Sequence, residues 1–321
     1  MEKIFQAFAE SIMEEERRLL GEGFTVKIME VPKNNGVVWT GLGISEKMDP
    51  VTTIIYLETY FSLYVQGEAI AGLAKEIYED YKIHAALEGI PHQVTSLKDF
   101  DTVKKDIIYR LVNIKMNEKN LSQIPYLPIT DLAVTFYTCL GNYKDGKLFS
   151  VITGAMMEYW GTSVDELFAL AAENTRSLFP KRFGTMEEYL KEMGANGILP
   201  EFLPDGFPPS LHILTNQSCQ NGAVAILYPD VLKQAAQELG DDLLILPSSI
   251  HEVILLPYHT GLILHDINQM IEEINQEQVA ISERLSDHAY LYRYHSNELC
   301  PVLNGKENTP GFPLDRLYTD K

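Results

Sequence analysis

The sequence predicts an α+β fold, predominantly antiparallel sheet with helices packed on its faces, and three features predict it. Apolar segments of strand character flank tight polar reversals at Gly36, Gly146 and Gly222, preceded by Asn35, Asp145 and Asn221. Such two-residue turns can join only antiparallel neighbours. Between the strand pairs, apolar residues recur every three or four positions, the period of a helix that buries one face. The three stretches share a strand, turn, strand, helix pattern but do not match as an internal repeat.

Ile4, Phe5, Phe8, Ile12 and Leu19 define a first helix, closed by Gly21 and Gly23. Phe24, Val26 and Ile28 then alternate with polar residues, Asn34-Asn35-Gly36 supplies a turn tolerant of positive φ, and Val37 to Ile44 returns as a second strand. Ile54 to Leu57 reads as a third strand. Tyr56, Tyr60, Phe61 and Tyr64 form an aromatic stripe with the spacing of helix-to-sheet packing, and Ile70, Leu73, Ala74, Ile77 and Tyr81 mark a second core-facing helix.

From Asp101 to Ile114 the spacing predicts another helix, with Lys98, Lys104, Lys105, Arg110, Lys115 and Lys119 as its solvated face. Pro125 and Pro128 then place a domain boundary after residue 127. Leu132 to Leu140 and Lys147 to Thr153 read as a strand pair. Ser163 with Glu166, and Thr185 with Glu188, are capping-box patterns that start two helices. Gly194 to Pro209 reads as a surface loop. Leu211 to Thr215 and Ala223 to Leu227 are expected to pair across Asn221-Gly222, and a helix follows Pro229 and ends at Gly240. Leu243 to Leu246 and Glu252 to Leu256 are strands, Asp266 to Asn275 a helix and Ala289 to Tyr294 the last strand. The expected organisation is a subdomain over 1–127, a second over 128–296 and a mobile tail over 297–321, since Cys300 to Pro313 shows no periodicity.

Composition narrows the function classes. The chain has 321 residues, 45% hydrophobic and 22% charged, the profile of a folded protein able to bury a sizeable core. No apolar run approaches the ~20 residues of a membrane-spanning helix, so no membrane role is expected. The first twenty residues carry five glutamates in place of a basic leader, and the three cysteines are odd in number and isolated. Both features favour a reducing, cytoplasmic setting. A net charge of −19 disfavours nucleic-acid binding, which depends on Lys and Arg neutralising phosphates.

Several motifs carry a resemblance: Lys33-Asn34-Asn35-Gly36 with Gly41-Leu42, Ile55-Tyr56-Leu57, Trp160-Gly161, Asn174-Thr175 with Pro180, Leu214-Thr215-Asn216, Leu227-Tyr228-Pro229, and above all Leu246-Pro247-Ser248-Ser249-Ile250-His251-Glu252-Val253-Ile254-Leu255-Leu256-Pro257. With these the chain resembles an uncharacterised domain-of-unknown-function family of anaerobic Clostridia and their relatives. The resemblance implies a bacterial cytosolic setting and supplies no catalytic set.

Chemistry is concentrated in Ser248-Ser249-Ile250-His251-Glu252, which puts a hydroxyl, an imidazole and a carboxylate within five positions. On a strand, Ser249 and His251 would share a face while Glu252 points away, so a hydrolytic triad would need a remote acid. The alternative is turn chemistry, with the hydroxyls satisfying backbone groups. His251, His259, His265, Glu252 and Asp266 are chemically suitable metal ligands, but their spacing matches no zinc motif. Gly41-Leu42-Gly43 lacks the third glycine of a dinucleotide fingerprint, so no cofactor is indicated. Cys139 and Cys219 have no local base or partner cysteine. Between Glu201 and Ile250 the only Lys or Arg is Lys233, and Glu272, Glu273, Glu277 and Glu283 crowd one region, which suits an acidic decoy for a basic partner. The expectation is a non-catalytic binding or regulatory protein whose partner is a protein or small molecule. A hydrolase built on Ser249 and His251, a His/Glu metal site and the acidic decoy stand as alternatives.

Overall fold

The computed structural model describes residues 2–47, 52–85, 97, 99–143, 146–192, 211–258 and 262–318. They form two compact units, 1–102 and 103–321, with every strand pair antiparallel. The α+β class expected from the tight reversals is the one observed. The boundary lies earlier than 127 because residues 107–113 pair with residues 132–138 across that point.

In the first unit, helix α1 (Glu2–Leu20) precedes the hairpin of β1 (Phe24–Pro32) and β2 (Val38–Glu46), with β3 (Thr53–Tyr56) on the far edge of β2. The hairpin turns through Asn35 at φ 57° and Gly36 at φ 70°, the left-handed conformations that Asn and Gly adopt most readily. Helices α2 (Glu58–Val65) and α3 (Ile70–Ala85) complete the unit, and Phe8, Ile12, Leu42, Ile44, Leu57, Leu73 and Ile77 form its core. The aromatic stripe is packing: Phe61 meets Phe5 edge-on at 4.8 Å and Tyr64 lies 5.1 Å from Phe8. Gly41 is no phosphate cradle. A Cβ there would come within 2.4 Å of the Ile54 side chain, which folds across β2 from β3.

The second unit has two sheets. In the smaller, β6 (Leu132–Tyr143) is flanked on one side by β4 (Ile107–Asn113) and on the other by β5 (Tyr126–Ile129) and β7 (Gly146–Val151) in succession. Helices α4 (Gly154–Trp160) and α5 (Val164–Leu178) follow. In α5, Asn174 donates to the carbonyls of Lys104 and Ile107, and the Thr175 hydroxyl accepts the N–H of Tyr109. The helix thereby satisfies the outer edge of β4, which would otherwise be a template for pairing.

The larger sheet follows the order β14-β13-β12-β10-β11-β9-β8, with β15 also on β13. Its strands are β8 (Lys181–Thr185), β9 (His212–Asn216), β10 (Leu243–Leu246), β11 (Val253–Pro257), β12 (Tyr290–Arg293), β13 (Glu298–Leu303), β14 (Lys306–Glu307) and β15 (Phe312–Pro313). Helices α6 (Met186–Glu192), α7 (Val231–Leu239) and α8 (Leu264–Gln278) belong to it. At α6 the capping box is complete: Glu188 N–H donates to the Thr185 hydroxyl, and the Glu188 carboxylate accepts from Thr185 N–H. At α5 only half forms, since the Glu166 carboxylate accepts from Thr162 instead of reaching back to Ser163.

Three sequence expectations are corrected. Residues 107–113 are strand, not helix, because Ile107, Tyr109, Leu111 and Asn113 bury one face and Ile108 the other. Residues 222–227 form a buried 3₁₀ helix instead of a strand, so the third strand pair is absent. Residues 298–318 are not a tail: β13 pairs with β12, Leu299, Cys300 and Val302 are fully buried, and Arg293 is paired with Glu307. The expected loop at 194–209 and the turn residue Asp145 lie outside the described residues.

Candidate functional site

The Ser-Ser-Ile-His-Glu segment is a loop between β10 and β11, not the strand that would have put Ser249 and His251 on one face. The Ser249 hydroxyl donates to the Glu252 carboxylate at 2.9 Å and accepts the His251 N–H at 2.9 Å. Ser249 N–H donates to the Glu252 carbonyl, which closes the turn. Serine and glutamate are thus brought together, and the imidazole is turned elsewhere.

The His251 ring accepts the Asn221 N–H at Nδ1 (3.2 Å), which leaves its proton on Nε2, 3.7 Å from the Glu283 carboxylate. Its carbonyl accepts the Thr215 hydroxyl at 2.8 Å, and the flanking Ile250 accepts from Ala223 N–H and donates to the Glu283 carbonyl. His251 is therefore stitched to the loop after β9. His265 and Asp266 sit exposed at the start of α8, with Gly305 against His265, and make no cluster with His251. His259 lies outside the described residues. Among the described residues no group of three or more His, Cys, Asp or Glu side chains could hold a metal ion.

The loop that His251 supports, 216–222, is tightly specified. Asn216 accepts from the Ser218 N–H and hydroxyl and donates to the Gln220 carbonyl. Cys219 and Asn221 take φ values of 54° and 52°, a conformation uncommon for residues other than glycine. At Gly222 a Cβ would come within 2.1 Å of the Thr215 hydroxyl and 2.6 Å of the His251 carbonyl, so the residue must be glycine. Cys219 lies 3.9 Å from the Arg182 guanidinium, and Arg182 stacks on Tyr189.

On its other side the loop walls a small cavity of about 20 Å³ with Arg110, Phe149 and Thr175. The half-buried Arg110 guanidinium lies 4.3 Å from the Tyr137 ring and 4.4 Å from the Phe149 ring. Burial works against its charge and lowers its pKa. Strand register accounts for the placement: Ile108 opposes Tyr137, Arg110 opposes Thr135 and Phe149 opposes Cys139, all on one face of the sheet. Sequence reasoning missed this residue by reading it as the solvated side of a helix. The signal was present in the period-two alternation of Ile107, Tyr109 and Leu111 with Ile108, Arg110 and Val112.

A larger cleft, about 860 Å³, runs along α5 and is lined by Phe168, Ala169, Ala172, Leu127, Phe312 and Arg316 among others. It lies apart from Ser249 and His251. Beneath it, Tyr109 stacks on Phe168, the Tyr318 hydroxyl donates to the Leu227 carbonyl and the Tyr228 hydroxyl to the Phe179 carbonyl. Burial raises the pKa of all three tyrosines, so their hydroxyls stay protonated and neutral. A separate half-buried cluster joins the two sheets: His288 Nε2 meets the Asp131 carboxylate at 2.9 Å, Nδ1 meets the Ala289 carbonyl at 3.0 Å, and the Tyr290 hydroxyl donates to Asp131 at 3.0 Å.

The fold and these sites define an antiparallel α+β protein whose conspicuous histidine, serine and glutamate brace a loop. The chain belongs to the family of unknown function DUF5688, whose model matches residues 5–294. No curated protein and no solved structure matches it. No described helix is long and apolar enough to cross a membrane.

Proposed function

We propose that the chain is a non-catalytic binding protein of the bacterial cytosol. The observation that carries this reading is the hydrogen bonding of Ser249. Its hydroxyl proton goes to Glu252, while His251 Nδ1 accepts a backbone N–H. A hydrolytic serine of the Ser-His type hands its proton to an imidazole, with a third group orienting that imidazole. The cleft along α5 falls within the range of about 300–1,000 Å³ typical of small-molecule seats. Its apolar walls beside Asp165, Glu166 and Arg316 suit an amphipathic ligand.

The test is a fluorophosphonate probe on the folded chain. No labelling of Ser248 or Ser249 is expected, and Ser249→Ala should lower thermal stability through the lost turn. Stoichiometric labelling at Ser249 that disappears in His251→Ala would replace the binding reading with the hydrolase.

A further inference from the structure

An antiparallel sheet with one face on the core ordinarily turns polar residues to the other. The three-stranded sheet of the first unit departs from that pattern. Val26, Leu42, Ile44 and Ile55 enter the core with α1 and α3, and their neighbours along each strand point the opposite way. Met29, Val31 and Ile54, on that outer face, are absent from the core and stay partly exposed. Register sets Lys27 opposite Gly43, and Met29 and Tyr56 on either side of Gly41. The glycines let the flanking side chains lie flat: a Cβ on Gly43 would fall 2.6 Å from the Met29 sulfur, and one on Gly41 would fall 3.1 Å from the Val31 side chain. At the turn end, Trp39 meets Tyr56 edge-on at 5.1 Å and is 37% exposed. The Lys33 ammonium lies over both rings, 3.8 Å from the centre of Tyr56 and 4.9 Å from that of Trp39. Lys27 is exposed, and no strand position on this side is Asp or Glu, although the chain has 45 acids against 26 bases.

We propose that this face docks an acidic protein segment, with an apolar centre on Met29, Val31 and Trp39 and carboxylates toward Lys27 and Lys33. Charge complementarity selects the partner. The chain's net charge of −19 is screened beyond roughly 8 Å at physiological salt, so the local sign governs contact. Lys27 and Lys33 are about 20 Å apart at the rise of a strand, a span that a short extended segment bridges. A second copy of the chain meeting the same face would set cation against cation. Single-stranded nucleic acid needs open ring faces for its bases, and the Lys33 ammonium already covers both rings. An exposed tryptophan beside aliphatic side chains is the kind of anchor that carries binding energy in protein interfaces. This surface belongs to the first unit alone, so labelling of Ser249 or an α5 cleft that takes no ligand leaves the inference standing.

The test uses the full-length chain and a short peptide in which paired glutamates flank a run of leucines. Trp39 is the local reporter: the chain holds two tryptophans, so Trp160→Phe leaves Trp39 as its only indole. The peptide should shift Trp39 emission saturably, and a version with serines in place of the glutamates should bind several-fold more weakly. Lys27→Glu should weaken the acidic peptide about tenfold while leaving the melting temperature unchanged, because its side chain is exposed. Should Trp160→Phe fail to fold, anisotropy of labelled peptide decides instead, comparing the unaltered chain with Lys27→Glu and Trp39→Ala. The proposal is overturned if the acidic peptide does not bind, if the serine version binds equally well, or if Lys27→Glu and Trp39→Ala leave its affinity unchanged. Oligouridine that shifts Trp39 emission at lower concentration than the peptide would replace the acidic segment with nucleic acid. A dimer in sedimentation that Trp39→Ala dissociates would replace it with a second copy of the chain.

Discussion

Glu16 shows how one residue can oppose the pattern around it. On α1 the buried positions run Phe8, Ile12 and Glu16 at intervals of four, so a carboxyl occupies a place in the apolar stripe. Both of its oxygens are buried without a hydrogen-bond partner among the described residues. Burial, reinforced by Glu15, raises its pKa from 4.5 to about 7. An acid whose folded pKa is raised holds a proton that the unfolded chain has released. Stability therefore falls as pH rises from about 4.5 to about 7 and levels off above that range. Glu16→Gln should leave the melting temperature nearly unchanged at pH 4.5 and raise stability at pH 8, by on the order of 2 kcal/mol once solvent screening is allowed for. Urea denaturation at the two pH values measures this, and an equal effect at both would contradict it. The charge of Glu16 was plain in the sequence, but its burial was not. Helical period marks a face, and only the packing of α1 on its neighbours decides where that face ends. His251 was legible as unusual for the same reason that its role was not: two serines, a histidine and a glutamate within five positions signal chemistry or a turn equally, and the partner that decides, Asn221, lies thirty positions away.

At the scale of elements, local turn and cap chemistry was readable wherever neighbouring residues set it. Asn35-Gly36, the Thr185 box and the Gly240 cap at φ 78° are all set within a few residues of themselves. The errors fell where distant packing rules. Segment 107–113 mixes charge with apolar residues at spacings that suit a helix or a strand, and it is strand because β6 and the Asn174 and Thr175 side chains flank its two edges. The contact between Asp131, in the turn joining β5 to β6, and His288, just before β12, belongs to this scale. Burial disfavours both charges, yet the hydrogen bond between them prevails, leaving His288 with a raised pKa and Asp131 with a lowered one. The histidine's contribution is complete below its ordinary value and is lost as pH rises through its raised value. The aspartate's contribution is present above its ordinary value and is lost as pH falls through its lowered value. The bridge is thus strongest between about pH 4 and 6.5. Asp131→Asn or His288→Gln should each cost on the order of 1–2 kcal/mol at pH 6, less than a fully buried pair because both side chains keep some contact with solvent. In a double-mutant cycle their coupling should fade at pH 9, and a coupling independent of pH would mean the contact is not ionic.

For the whole molecule, the decisive question is whether the residues after 297 belong to the fold. Their lack of periodicity made them look dispensable, since short strands with turns between them leave no repeating signature. They form a sheet margin. Strand β13 covers β12, β14 and β15 cover β13, and the Arg293 guanidinium is held by Asp242 and Glu307. Leu299, Cys300 and Val302 are fully buried and Leu314 nearly so. Each buried aliphatic side chain contributes about 2 kcal/mol. Losing three or four of them, together with the edge hydrogen bonds of β12, approaches the whole stability of a typical domain, about 5–15 kcal/mol. Deleting residues 298–321 would also strip Phe312, Arg316 and Tyr318 from the cleft along α5. The truncated chain should therefore aggregate or lose its cooperative melting transition, which differential scanning calorimetry would record. Hydrogen exchange on the intact chain should show the β13 amides among the slowest in the second unit, because they exchange only when the sheet opens. A truncated chain that melts within about two degrees of the full one, less than a change of 1 kcal/mol produces in a domain of this size, would return these residues to the status of a tail.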